Sequence, residues 1–323
     1  MGPDATRQVS LAGAVLSAIG VGGIVLGIHE GPEVGWTAPV VLLGLLGGTA
    51  SLVAFVRWQL RTAHPLLDVR IFRHRGLAAG AFSLTVMFAL MFGVFLVVIQ
   101  FLQAVLGLSA VASAAGLLPM AVAMMGLSPV APELAKRVGL RPVLVSGTAL
   151  LAGGFVWMAL AADQQSYLWV LPGLVIIGLG VGLSMSPATT AITESLPEEK
   201  QGVASALNDT VREFGASVGV ALIGSVLSAG YASSIADTAE TLPPELAEPV
   251  EEGIGQAMAV AGQLGPDGAM VAEAAQQAFL DGWNIAMIVA AVTALAAGLT
   301  TAAIFGRGAS QPAPANEEVV LAA

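Results

Sequence analysis

The chain has 323 residues, 56% of them hydrophobic and 11% charged, with a mean hydropathy of +0.84. A soluble globular domain carries about 25% charged residues, so this composition excludes a water-solvated surface over most of the molecule and points to a membrane protein. The absence of cysteine excludes a disulfide framework, a thiolate nucleophile and a Cys-ligated metal, and the net charge of −10 is spread very unevenly along the chain.

A helix crossing the hydrocarbon core needs about 20 mainly apolar residues. In chain order the stretches that qualify are Leu11–Ile28, Thr37–Val56, Leu77–Leu102, Ala110–Ala131, Val143–Ala162, Leu168–Thr190, Val203–Ser228 and Trp283–Phe305. The expected fold is therefore an all-α polytopic membrane protein with about eight transmembrane helices. The first stretch is too long for a signal peptide, and no small-residue cleavage pattern precedes the acidic His29-Glu30 end. Between the second and third spans, Arg57–Gly76 reads as a basic linker that lies along an anionic leaflet. Between the last two, Tyr231–Leu280 reads as a long acidic outer loop with turn signals TLPPE and LGPDG, and Glu248–Leu264 as a short surface helix within it.

Lysine and arginine set the orientation. With a cytoplasmic start, eleven of the twelve basic residues fall on inner segments: Arg7; Arg57, Arg61, Arg70, Arg73 and Arg75; Lys136, Arg137 and Arg141; Lys200; and Arg307. The twelfth is Arg212. Outer segments carry Glu30, Glu33, Asp163 and the acidic run from Asp237 to Asp281. An integral plasma (inner) membrane protein with both termini cytoplasmic follows. Trp36, Trp58, Trp169, Tyr167, Tyr231 and Trp283 sit at predicted helix ends, where amphipathic rings prefer the headgroup level. The spans divide into two accessory helices (1–56), the basic cytoplasmic linker (57–76), a six-helix bundle (77–305, including the outer loop 231–280) and a disordered cytoplasmic tail (306–323).

Within the spans, Gly178-Leu-Gly-Val-Gly182 superficially resembles a dinucleotide loop, which requires a strand before it and a helix after it. Its place inside an apolar span favours close helix packing, as do the pairs Gly23/Gly27, Gly44/Gly48 and Gly215/Gly219. Prolines 119, 129, 132, 172 and 187 are either tolerated irregularities or the bends that transporters build around a midplane site. Met87, Met91, Met120, Met124 and Met125 read either as ordinary packing or as an adaptable cavity wall. Gln100, Gln103 and Asn208 are further candidate cavity residues alongside Met120 and Met124. His29, His64 and His74 are scattered, and neither a catalytic constellation nor a metal-ligand spacing emerges. An enzyme is not expected.

The stretch ALNDTVREFGASVGVAL (206–222) places Asp209, Arg212 and Glu213 inside a span. Ser195-Leu-Pro-Glu198 fits a capping box, so the helix starts at the cytoplasmic surface and enters lipid near Val203. At 1.5 Å per residue Asp209 then lies ~9 Å deep and Glu213 ~15 Å deep, near the midplane. The two acids are i,i+4 and share a face, with Arg212 close to Asp209 as charge partner. Each charge costs about 2.5–3.5 kcal/mol at a helix centre. That face must turn to a bundle interior or a wet cavity. A static Arg212–Asp209 pair leaves Glu213 without a partner; the other reading is that Glu213, with Asp209, gains and loses protons.

The segments EGPEVGW (30–36), HPLLDVRIFR (64–73), IQFLQAVLGLSAVASAAGLLP (99–119) and VREFGASVGVAL (211–222) resemble the major facilitator superfamily, in particular its EmrB/QacA-type fourteen-span drug:proton antiporters. The resemblance runs from about Asp4 to Phe305. It implies that Asp209 and Glu213 occupy positions used for proton coupling or cationic-drug recognition, with a proton gradient rather than a cofactor as energy source. It also aligns the first span with the family's seventh. An amino-terminal six-helix domain, with its cytoplasmic loop and GP-containing antiporter helix, would then be absent through a truncated or mis-started frame. The loop SPVAPELAKRVGLRP, which carries Lys136, Arg137 and Arg141, is similar to the family's PLAGRLADRFG pattern, with Pro132 for its glycine and Lys136 for its aspartate. The implied function is proton-coupled efflux of amphipathic or cationic compounds by a carboxy-terminal portion, which pairs with an amino-terminal half or with itself. The alternative is a non-transporting membrane subunit, or a truncated product, that docks on a partner transporter half. Membrane lipid is the other partner, and no nucleic acid is implied.

Overall fold

A computed structural model describes residues 11–62 and 69–305. The expected tail, Arg7, Arg307 and His64 lie outside the described residues. Eight helices are long and apolar enough to cross a membrane, matching the eight predicted stretches. In chain order the helices are α1 (Leu11–Val34), α2 (Pro39–Arg61), α3 (Arg75–Val105), α4 (Ala110–Leu127), α5 (Ala131–Val138), α6 (Leu140–Gln164), α7 (Tyr167–Thr193), α8 (Gln201–Ala239), α9 (Pro244–Glu252), α10 (Ile254–Leu264) and α11 (Ala269–Phe305). No strand occurs among the described residues.

α1 and α2 form a hairpin held by the predicted glycines. A methyl on Gly23 would meet the Gly44 carbonyl at 3.0 Å and the Gly48 Cα at 3.1 Å, and the Ser51 hydroxyl donates to the Leu16 carbonyl at 2.8 Å. In the remaining helices, α8 packs along α3 and α11, α6 along α7 and α11, and α4 against α7. α3 and α8 run parallel: Gly215 sits on the Thr85 backbone, Gly219 on that of Ala89, and Gly93 on Gly219 and Ile223. Gly178 and Gly182 bring α7 onto the Met120 and Met124 carbonyls of α4. The glycine motif is thus a packing surface. Van der Waals approach of small residues replaces the hydrophobic drive that lipid cannot supply.

The ring closes at its basic end, where Arg75 Nη1 donates to the Phe305 carbonyl at 3.1 Å and joins the start of α3 to the end of α11. At the other end Trp283 is wholly buried, 4.7 Å from Phe101 and 6.3 Å from Phe279 by ring centroids, and its Nε1 donates to the Met158 carbonyl at 3.0 Å. Both Trp283 and Tyr231 therefore depart from the interfacial-anchor expectation. The cause is helix length. α8 has 39 residues and α11 has 37, about 55–60 Å at 1.5 Å per residue, against a hydrocarbon core of about 30 Å. Both rings lie well inside their helices rather than at the ends. Trp36, Trp58 and Trp169 are half-exposed, as interfacial anchors should be. Trp157 stacks on Trp169 at 6.3 Å and donates to its carbonyl at 2.8 Å.

The segment 231–280 is correspondingly not a loop. α8 and α11 extend beyond the bilayer, and α9 and α10 form a helical hairpin between them, with turns where TLPPE and LGPDG predict them. The Tyr231 hydroxyl, buried, donates to the Val250 carbonyl at 2.9 Å and ties this hairpin to α8. The basic linker is partly helical: α2 runs to Arg61, and Val69–Arg73 forms a 3-10 turn.

The prolines act locally. Pro119 follows a break at Leu117 in α4, where the Tyr167 hydroxyl satisfies the freed Gly116 carbonyl at 2.9 Å. Pro129 lies in the turn after α4, which ends at Leu127 rather than Ala131, and Pro132 opens α5. Pro172 and Pro187 stay inside an unbroken α7. α5 ends at Gly139, whose φ of +97° lies where a side chain is strained.

Candidate functional site

α8 forms the site because its sequence changes character along its length. Between Gly215 and Ile223, small residues seat one face on α3. The adjacent face carries Glu213, Ala216, Ser217, Val220, Gly224, Leu227 and Ser228 at three- and four-residue spacing, so these line up along one stripe. That stripe forms one wall of a cavity of ≈ 530 Å³. α3 supplies Phe92, Leu96 and Gln100; α1 supplies Ile28 and His29; the turn between α9 and α10 supplies Glu252, Gly253 and Ile254.

Glu213 is exposed to this groove. The register of Gly215 on Thr85 places it about eight residues along α3 from Arg75, ~12 Å from the basic end, and 13 residues from Lys200 it is ~20 Å along α8. The sequence estimate of ~15 Å falls between these. Asp209, also exposed, lies one turn nearer the basic end on the same stripe and beyond the cavity. The two acids share a face, as their spacing predicts.

Arg212 does not act as their charge partner. Among the described residues no ion pair joins it to Asp209 or Glu213; its guanidinium carbon stands 4.6 Å from the centroid of the Phe88 ring, over its face. Phe88 in turn stacks on Phe92, with centroids 6.0 Å apart, and Phe92 lines the groove. The physical reason is the helical step. One residue before Glu213, Arg212 points ~100° round the helix, towards α3, where a ring quadrupole replaces a carboxylate. The static-pair reading is therefore not realised. Nor is the capping box: the Ser195 hydroxyl donates to the Ala191 carbonyl at 2.5 Å, and the Gln201 amide closes the turn by donating to Thr193 and Leu196 carbonyls at 3.1 and 3.0 Å.

The other candidates separate. Gln100 lies in the groove, partly buried, whereas Gln103 is exposed on a π-helical turn (Phe101–Val105) and does not line it. Asn208 is buried beside the stripe, with its Oδ1 accepting no hydrogen bond from the described residues, and lies outside the groove. Met120 and Met124 sit in the α4–α7 contact, Met87 is buried in α3, and Met125 points outwards, so the methionines do not form one cavity wall. Lys136 and Arg137 are exposed on α5, Arg137 bonded to Glu133 at 3.2 Å, and Arg141 begins α6. Sequence reasoning missed Phe92, Ser217, Ser228, His29 and Glu252. The first three repeat at helical spacing around Glu213 and Gln100 and were discoverable. Glu252 was hidden by reading its surroundings as a loop. Among the described residues no group of His, Asp or Glu is arranged to hold a metal ion.

This arrangement is a carboxylate within a helix long and apolar enough to cross a membrane, facing a half-open groove with aromatic and apolar walls. A lipophilic cation would be held there by charge at one point and apolar contact elsewhere. Comparison with known proteins agrees with the fold. The family model described as Major Facilitator Superfamily matches residues 3–220. The chain is 30% identical over 242 residues to the multidrug resistance protein Stp of Mycobacterium tuberculosis, covering 75% of this chain and 45% of that protein. It is 33% identical over 252 residues to the methyl viologen resistance protein SmvA of Salmonella typhimurium, covering 77% and 50%. It is 32% identical over 261 residues to the multidrug efflux pump LfrA of Mycolicibacterium smegmatis, covering 80% and 52%. The chain spans about half the length of these curated relatives.

Proposed function

The chain belongs to the Major Facilitator Superfamily, and from that premise we propose that it forms part of a proton-coupled efflux transporter for amphipathic cations. It is an integral multi-pass membrane protein and a carrier rather than an enzyme. The observation that carries the reading is Glu213, a carboxylate exposed to a largely apolar groove, ~12–20 Å along the helices from the basic end, with no cationic side chain of the described residues within 4.0 Å. The names of the relatives, two for multidrug resistance or efflux and one for methyl viologen resistance, support it.

The mechanism is competition. Glu213 holds either a proton or a cationic substrate, so loading one releases the other. Asp209, ~6 Å nearer the basic end along α8, would pass the proton to that side. Proton re-entry supplies about 2.3 kcal/mol per charge per 100 mV, so no cofactor is needed. Arg212 is held on the Phe88 ring, on the α3 side of the helix and off the groove. The basic end faces the cytoplasm of an inner membrane, with both termini on that side. Rocking transport requires two bundles around one site, and the second wall comes from an amino-terminal half or a second copy.

The test is ethidium accumulation in energised cells that express the chain alone or with a matching amino-terminal half. Efflux by the pair, lost in Glu213→Gln and partly retained in Asp209→Asn, is the expected result. Unchanged efflux in Glu213→Gln refutes the role of this carboxylate.

A further inference from the structure

The α1–α2 hairpin carries its own cavity, apart from the α8 groove and used by nothing in the transport cycle above. Its volume is ≈ 560 Å³, and it is lined by Leu16 of α1 and by a stripe of α2 that runs from Ala50 to Arg61. The lining residues of α2 recur at three- and four-residue steps, so they share one face over a rise of ~16 Å. The chemistry of the stripe changes along that rise. Ala50, Val53 and Ala54 make its deep end apolar, and the two alanines leave a furrow beside Leu16. Arg57, Trp58 and Arg61 make its outer end basic and aromatic.

The hairpin seam explains why the cavity opens there. Gly23, Gly44 and Gly48 bring the two backbones together, and the Ser51 hydroxyl closes the seam on the Leu16 carbonyl. Beyond Ser51, α2 has no further glycine; Phe55 and Gln59 are buried, and the stripe beside them stays exposed. Arginine at the end of a span satisfies orientation alone and makes no site. Here Arg57 and Arg61 stand one turn apart in the same cavity, and among the described residues no carboxylate lies within 4.0 Å of either. Like charges at this spacing repel, so an anion seated between them is stabilised by both.

We propose that this cavity binds one anionic phospholipid, with its phosphate on Arg57 and Arg61 and an acyl chain along Ala50, Val53 and Ala54 beside Leu16. Guanidinium forks match phosphate oxygens, and the half-exposed Trp58 ring sits where aromatic anchors meet headgroups. A free phosphate would engage the arginines but leave the apolar half of the stripe unused. The site needs only that the hairpin cross a membrane, so it stands apart from the transport reading. At its other end α1 supplies Ile28 and His29 to the α8 groove, and the lipid steadies the hairpin that carries them.

The experiment uses the full chain in neutral detergent micelles and reads displacement of an acyl-labelled fluorescent phosphatidylglycerol. The competitors are dioleoylphosphatidylglycerol and dioleoylphosphatidylcholine, which share chains and phosphate but differ in net charge. The anionic lipid should compete about tenfold better or more. Arg57→Gln and Arg61→Gln should each weaken it about fivefold, Arg57→Lys should weaken it less than Arg57→Gln, and the double glutamine variant should lose the preference. Ala54→Leu fills the furrow but keeps both arginines, and should weaken both lipids alike. Lys136→Gln removes an exposed basic side chain of α5 that is off the cavity, and should change neither. A preference that survives the double variant, or that falls as far in Lys136→Gln, overturns the site. Unchanged binding in Ala54→Leu overturns the acyl furrow. Inorganic phosphate in large excess, at matched ionic strength, should leave the labelled lipid bound; displacement would make this a free-anion site and overturn the lipid assignment.

Discussion

Gly219→Ala should loosen the α3–α8 interface far more than its one methyl suggests. The three atoms nearest to an added Cβ are all Ala89 backbone, the carbonyl oxygen among them, at separations no real Cβ adopts. Backbone of a packed helix cannot swing aside, so the helices must part by roughly 1.5 Å or more to restore ordinary carbon–oxygen contact of ~3.3–3.6 Å. A gap of about 0.5–1 Å forfeits a quarter to a half of each contact's ~0.1–0.2 kcal/mol, and a few tens of atom pairs line the seam. The loss is about 1–3 kcal/mol, the usual range for overpacking. Gly224→Ala supplies the control on the same helix, since its methyl would meet only a Leu96 methyl at 3.7 Å. The assay is equilibrium unfolding of the purified chain in mixed micelles with SDS, followed by fluorescence and far-ultraviolet circular dichroism. Should Gly219→Ala fall within about 0.5 kcal/mol of Gly224→Ala, backbone contact is not what holds these helices together.

Trp283→Phe deletes the hydrogen bond to the Met158 carbonyl and part of the ring stack on Phe101, and unfolding in the same micelles should cost about 1–3 kcal/mol less. Tyr231→Phe removes the tie to the Val250 carbonyl; hydrogen exchange should quicken in α9 and α10 while α6 and α7 keep their protection. Arg212→Gln, compared with Phe88→Leu, should show the two losses overlapping in a double-mutant cycle by about 0.5–2 kcal/mol. Additive losses would mean that the ring does not hold the guanidinium. Glu133→Ala breaks an ion pair whose side chains are 75% and 56% exposed, and stability should change by under about 0.5 kcal/mol.

The spans are legible because hydrocarbon imposes a length and forbids unpaired backbone, and both constraints write themselves into runs of apolar residues. The shared face of Asp209 and Glu213 is legible for the same kind of reason, since a four-residue spacing has one meaning on a helix. What fails is the boundary at the acidic end. Ser233 to Ala239 is helical but too polar to read as a span, so the sequence reading ends α8 early and assigns Tyr231 to the headgroup level. Trp283 is misplaced because α11 starts fourteen residues before it. Arg212 is paired by proximity in sequence, whereas its direction from the helix axis is what selects Phe88. The methionines share a composition but not a location, which only the packing of α4 on α7 reveals.

The contact of Arg75 with Phe305 has a consequence for how the polypeptide is threaded. Because the start of α3 and the end of α11 meet on one side, the order of helices around the ring has no privileged first member. A short tether from residue 305 to residue 75, with new ends cut in the turn at Gly139 on that same side and the α1–α2 hairpin supplied as a separate segment, would leave the seams among α3 to α11 intact. The architecture belongs to the neighbours each helix keeps, and the chain is only one of several routes through them.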